Sequence, residues 1–312
     1  MLNWRRALAL ASLAFFASST ALWAQPEARK LTKDEEREVK AITAAMGAAV
    51  SGKPVSNDLG LTWVRADALQ AQGDMNIVAF GVTVDPAKVG SGNLMLAWRV
   101  LPVDENADPK AKKKAPEPIF ENLSSVTIPP GQTAPVFVAR LFPAPAGKVD
   151  VLVGAKEVGD GKSKASASLI RETVTVPSLA GGDFMLSNVY VFRPRKYDAP
   201  LANVMEHPYG STEEETLPIA APSLKKDERL RLSGFVFNST GNVTCEYVMY
   251  KEGQQEPFKK YAPADIDPKR SGIPDGLPLT DFEPGKYRLE IKVTDKGTGK
   301  TATQNVNFEV VS

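Results

Sequence analysis

The chain has 312 residues, enough for two domains of ordinary size, with 38 lysines and arginines against 37 aspartates and glutamates. That balance argues against a nucleic-acid partner held by phosphate neutralisation and against general adhesion to anionic membranes. One cysteine, Cys245, leaves no intrachain disulfide, and with one histidine, His207, it supplies too few ligands for a zinc site.

Residues 1–24 read as a secretory signal peptide. Arg5 and Arg6 form the positive n-region, Ala7 to Ala17 the short apolar h-region, and small residues allow cleavage after Ala21 or Ala24. An uncleaved membrane anchor is the alternative, against which the shortness of the apolar run counts. Cleavage predicts a periplasmic or secreted location with no stable membrane insertion afterwards. It removes two of the basic residues and none of the acidic ones, so the balance holds.

Residues 25–56 form an N-terminal helical segment. Thr32 and Glu35 make a capping box, and Val39, Ile42, Met46, Ala49 and Val50 recur at helical spacing until Gly52 and Pro54. This stripe is expected to dock on the first β-module, a partner protein being the other candidate surface.

Beyond it, short runs of Val, Leu, Ile, Phe and Tyr are punctuated by 24 prolines and 23 glycines, the pattern of all-β domains. The first module starts near Leu61, with strands expected at residues 76–84, 94–101, 119–127, 135–141, 148–156 and 166–176. Met75, Ile77, Ala79 and Gly81 form one apolar or small set and Val78, Phe80 and Val82 the other, which predicts burial on both faces at one end of the strand. The lysine-rich stretch between Val103 and Pro118 cannot build a core and reads as an exposed loop. Residues 176–182 read as a linker.

The second module is expected to carry strands at 184–192, 229–238, 243–251, 277–282, 287–294 and 301–310, with a short one near 258–261. A long irregular stretch, Arg193 to Glu215, holds His207. Gly147 to Lys162 aligns without gaps on Gly285 to Lys300, with five identities and apolar positions in phase, and Gly92 to Trp98 aligns on Gly241 to Tyr247. The chain thus reads as two copies of one β-module. The predicted fold is all-β: two tandem immunoglobulin-like sandwiches, residues 57–178 and 179–312, after a short helix.

Chemistry is sparse. His207 has no nucleophile-elbow serine beside it. Cys245, matched by the repeat to Leu96, reads as a small buried hydrophobe, and Trp98, matched to Tyr247, as core. Asp265, Asp267 and Asp275 share one loop, but they do not follow a calcium-loop pattern, and Lys269 and Arg270 offset them. Turn chemistry accounts for them better. No cofactor and no metal are expected. The sequons at Asn122, Asn238 and Asn242 matter only in a glycosylating host.

Residues 277–289, Val293-Thr294-Asp295 and Gly299-Lys300, with Phe184 to Val189, His207-Pro208-Tyr209 and Leu224 to Phe237, resemble the closing sandwich segment of exported, uncharacterised proteins of the acidobacterial type. Asn57 to Val64 resembles the same group. Such chains often carry a von Willebrand A-related or GWxTD domain, whose motifs do not occur here. The resemblance implies location and fold and carries over no functional residue.

The expectation is a non-catalytic binding or scaffold protein of the envelope, whose partner is another envelope or extracellular protein. A carbohydrate-binding accessory module is the alternative, with Tyr197, Tyr209 and Tyr261 as loop aromatics. A hydrolase with carboxylates in residues 265–281 is a further one. Candidate binding-loop residues are therefore Tyr197, Tyr209, Tyr261, Asp265 and Asp267.

Overall fold

The computed structural model describes residues 30–90, 92–103, 116–159, 166–196, 207–210, 214–266 and 272–312. Among these the chain is all-β apart from helix α1 (Lys33–Val50) and one short 3-10 turn. Asp34, Glu35 and Glu36 fill the first turn of α1, where the helix dipole favours negative charge. The helix ends in a Schellman motif. Gly52 takes a positive φ of 73°, its N–H donates to Ala49 O (3.0 Å), and the N–H of Lys53 donates to Ala48 O (2.9 Å).

Seven strands follow: β1 (Thr62–Gln72), β2 (Met75–Val84), β3 (Asn93–Pro102), β4 (Phe120–Thr127), β5 (Val136–Ala144), β6 (Gly147–Glu157) and β7 (Ser168–Val176). They form two antiparallel sheets, ordered β1-β2-β5 and β4-β3-β6-β7. Between them lies one core, with Val78, Phe80, Val82 and Phe142 facing Leu96, Trp98, Val151 and Val153. Trp98 is core, as its place in the repeat suggests. Its ring sits 5.9 Å from Phe80, and its Nε1 donates to Leu141 O at 3.0 Å. Strand β1 is not among those expected from the sequence. Its Asp, two Gln and three Ala have low strand propensity, and pairing with β2 overrides this.

Each outer face of this first sandwich is covered over its most buried strand. Strand β6 is buried from Val149 to Ala155 because α1 lies across its outer side. Gly154 is the seat: a Cβ there would stand 2.4 Å from Ile42 Cγ2 and 3.4 Å from Met46 Cε. The apolar stripe of α1 thus docks in cis, with Val39, Ile42 and Met46 buried. Glu38, also buried, meets Lys156 Nζ at 3.1 Å. Strand β2 is buried from Asn76 to Val82, as its two apolar sets predict, and Gly81 is the second seat. A Cβ at Gly81 would lie 2.4 Å from the Phe137 ring, which folds over the outer face there.

A second core is built from β8 (Met185–Leu186), β9 (Tyr190–Lys196), β10 (Glu214–Pro218), β11 (Ser223–Lys225), β12 (Arg229–Leu230), β13 (Leu232–Ser233), β14 (Val236–Phe237), β15 (Val243–Lys251), β16 (Lys259–Lys260), β17 (Ala264–Ile266), β18 (Leu277–Pro278), β19 (Gly285–Asp295) and β20 (Thr301–Val311). The larger sheet runs β11-β20-β19-β15-β16, with β17 also on β15 and β11 parallel to β20. The opposite layer is broken into the pairs β8–β14, β9–β13 and β12–β18, so the long strands expected at 184–192 and 229–238 appear as fragments. Between the two cores the linker is pinned, because Leu179 is buried and donates its N–H to Asn76 Oδ1 at 3.2 Å.

The sequence repeat is a repeat of register. Leu96 pairs with Ala155 and Trp98 with Val153; the matched residues Cys245 and Tyr247 pair with Val293 and Ile291. The hydrogen bond from Val158 N to Asn93 O (2.9 Å) recurs from Lys296 N to Asn242 O (2.8 Å). Cys245 is buried, and burial pushes its thiol up to about 11. In the second copy Lys292 stands where Gly154 stands in the first, and β19 alternates buried and open positions.

Asp295 ties the β19–β20 turn to the loop before β15. It accepts from Thr240 N (3.1 Å), Thr240 Oγ1 (2.9 Å), Gly297 N (3.0 Å) and Thr298 Oγ1 (2.9 Å). Burial pushes this carboxyl upward, but the donors outweigh it and hold it at about 2, below its ordinary 3.8.

Four outcomes follow from this packing. Ile42→Ala should destabilise the protein by about 2–5 kcal/mol through the cavity left at a fully buried site. Gly154→Val should cost about 1–3 kcal/mol by overpacking; urea midpoints measure both. Asp295 contributes stability that is fully present above about pH 4 and is lost as pH falls through about 2. Asp295→Asn should therefore flatten the fall in urea midpoint between pH 4 and pH 2, and an unchanged slope would contradict the assignment. Cys245 should react with a thiol reagent only after unfolding, since its thiolate is suppressed and enclosed.

Candidate functional site

Among the described residues, a cluster of polar groups lies where the two cores meet. Strand β1 supplies the first half. Its register slips between Trp63 and Arg65 and again between Ala68 and Gln70. Between the slips, Arg65 pairs with Gly81 and Asp67 with Ala79, so both point to the outer face, away from the core residues Val78, Phe80 and Val82.

The second half comes from residues 197–228, an excursion between β9 and β12. In the first sandwich the strands that precede the repeated pair, β1 and β2, are joined by Gly73 and Asp74 alone. Within the excursion, the described residues 207–210 and 214–216 are tied together by hydrogen bonds. Gly210 N donates to His207 O (2.9 Å), Thr216 N donates to Tyr209 O (2.9 Å), and β10 then pairs with β9. Glu215, buried, receives Arg195 Nη2 and lies 3.1 Å from His207 Nδ1. This pinning presents Tyr209 to the first sandwich.

Tyr209 stands edge-on to Tyr190 at 5.5 Å and 6.1 Å from Phe137. Its hydroxyl donates to Asp67 Oδ2 at 2.8 Å. Arg65 donates from Nε and Nη2 to the two oxygens of Asp67, at 2.5 and 2.6 Å, and its guanidinium lies 4.3 Å over the Tyr190 ring. Asp67, 4% exposed, thus accepts three charge-assisted or phenolic hydrogen bonds. Burial, reinforced by the charge of Asp67, pushes the Tyr209 phenol well above its ordinary value, and burial raises Tyr190 as well. Burial acts against the charge on Arg65, but Asp67 outweighs it and the guanidinium stays charged. Arg65, Asp67, Tyr190 and Tyr209 are therefore a closed clasp in which the Tyr209 hydroxyl donates to Asp67 and the Tyr190 ring lies against the Arg65 cation.

A cleft of about 170 Å³ opens beside the linker, lined by Ala66, Ala68, Val78, Leu186, Ser187 and Phe237 among others. It is smaller than the roughly 300 Å³ at which small-molecule pockets begin.

Among the described residues, those singled out from the sequence do not come together. Tyr209 is only 4% exposed, so it is a clasp residue and not the solvent-facing aromatic expected of a glycan platform. Tyr261 is half-buried, its hydroxyl enclosed and Lys259 Nζ 5.4 Å over its ring. Asp265 is exposed and bonded to Lys296 Nζ (2.8 Å) and Thr244 Oγ1 (3.2 Å); Lys296 holds its carboxyl below the ordinary value. Tyr197 and Asp267 lie outside the described residues. Asp275 receives Arg231 and the N–H of Leu232 (2.7 Å), and Asp281 receives Lys259 (3.0 Å), so these acids are each tied to a different cation. The sequence reading missed Arg65 and Asp67, whose strand it did not recognise. Their one signal was a pair of opposite charges two residues apart, on one face of what proves to be a strand.

No protein-family model matches the chain, and no curated protein matches it. Among solved structures, red sea bream transglutaminase aligns over 85% of this chain and 33% of its own, at 10% identity and a TM-score of 0.25. Salmonella alpha-2-macroglobulin reacted with methylamine aligns over 83% of this chain and 17% of its own, at 12% identity and a TM-score of 0.22. The chain spans a third or less of either protein, and likenesses at these scores carry no argument about its activity.

Tyr209→Phe removes one donor from a buried carboxylate and should cost about 1.5–3 kcal/mol. Paired with Phe137→Ala in a double-mutant cycle, it should show non-additivity, because both residues meet at the same junction. Strict additivity in urea unfolding would show that the clasp does not couple the two cores.

Proposed function

We propose that this protein is an exported, non-catalytic binding or scaffold protein, built as two immunoglobulin-like sandwiches in tandem after a short helix and held at one fixed mutual orientation. The observation that carries this reading is the clasp of Tyr209 and Tyr190 on Arg65 and Asp67. A buried, fully bonded polar contact between two cores, with a pinned linker beside it, suits a protein whose work is to hold contact surfaces at a set spacing. The engagement of Asp265, Asp275 and Asp281 by separate cations favours the non-catalytic reading over a carboxylate hydrolase. The burial of Tyr209 favours a protein partner over a glycan, because it removes one of the three aromatics a glycan platform would use. The leader-like residues 1–24 and the resemblance to exported proteins support a location outside the cytoplasm. No helix among the described residues is long and apolar enough to cross a membrane.

Two measurements test this. Spin labels at Gln132→Cys and Lys292→Cys, in a Cys245→Ala background, should give one narrow distance distribution that broadens in Asp67→Asn. A broad distribution in the parent protein would overturn the fixed-orientation reading. Tagged residues 25–312 should retain one defined envelope protein and none of a panel of cell-wall and plant polysaccharides. Retention on a polysaccharide, or turnover of one, would replace the scaffold reading with the glycan or hydrolase one.

A further inference from the structure

We draw no further inference here: the strongest candidate, the exposed Phe258 ring at the β15–β16 corner of the second core, backed by Phe282 and Tyr287 and rimmed by the Lys251–Glu283 and Lys259–Asp281 ion pairs, is a single solvent-facing side chain, and nothing in the structure shows what covers it.

Discussion

The first sandwich has no polar outer face on its two most buried strands, and the rest of the molecule is arranged to cover them. Strand β2 and strand β6 are both buried through their middle, on each side of the sheet. Apolar surface left in water costs roughly 25 cal/mol per Å², so two such faces cannot stand open on a stable domain. Helix α1 covers one and the excursion from the second core meets the other. At each face a glycine stands where a side chain would keep the covering group away, Gly154 under Ile42 and Gly81 under Phe137. The second copy of the repeat has the opposite solution. Lys292 replaces the glycine, β19 and β15 alternate, and their outer side faces water without a helix.

The clasp has a different energetic character from this apolar cover. Taking Arg65 and Asp67 out of water is expensive, and their mutual attraction offsets that cost only because the geometry is complete. The guanidinium fork meets both carboxylate oxygens, Tyr209 adds a third donor, and the Tyr190 ring lies against the cation. Such a group adds little net stability compared with an apolar contact of the same size. It fixes geometry instead, since rotating one core against the other breaks the Tyr209 hydroxyl bond to Asp67 and lifts the Tyr190 ring from Arg65. A linker pinned through Leu179 and Asn76 acts in the same direction. The device is local: it takes Tyr209 from the stretch between β9 and β12, whereas β1 and β2 are joined by Gly73 and Asp74 alone.

Much of the fold could be read in the sequence because it depends on periodicity that a one-dimensional pattern carries. The helix boundaries, the alternating strands around Trp98 and Tyr247, the in-phase repeat and the burial of Cys245 all express which side of a strand or helix must be apolar. The docking of α1 on the first module was legible for the same reason. What the sequence alone concealed were features whose local preferences run against their final state. Strand β1 is rich in residues that disfavour strands and is held by pairing with β2. Tyr209 sits in a proline-flanked loop, which locally reads as exposed, and only the turn pinned by Glu215 carries it into a buried junction. The strands of the second core's smaller layer break because their partners are short and scattered, and no single segment encodes that.

A β-rich chain with an amphipathic helix in front and one strand pair written twice follows from hydrophobic period and turn chemistry within short windows of residues. The tertiary structure decided which residues meet between the copies. Arg65 and Asp67 are 142 or more positions from Tyr209, and nothing in either neighbourhood announces the other. Their contact exists because two register slips aim one pair outward while an insertion brings the phenol back. Long-range contact of that kind is a property of the assembled chain, set by packing and not by any local pattern.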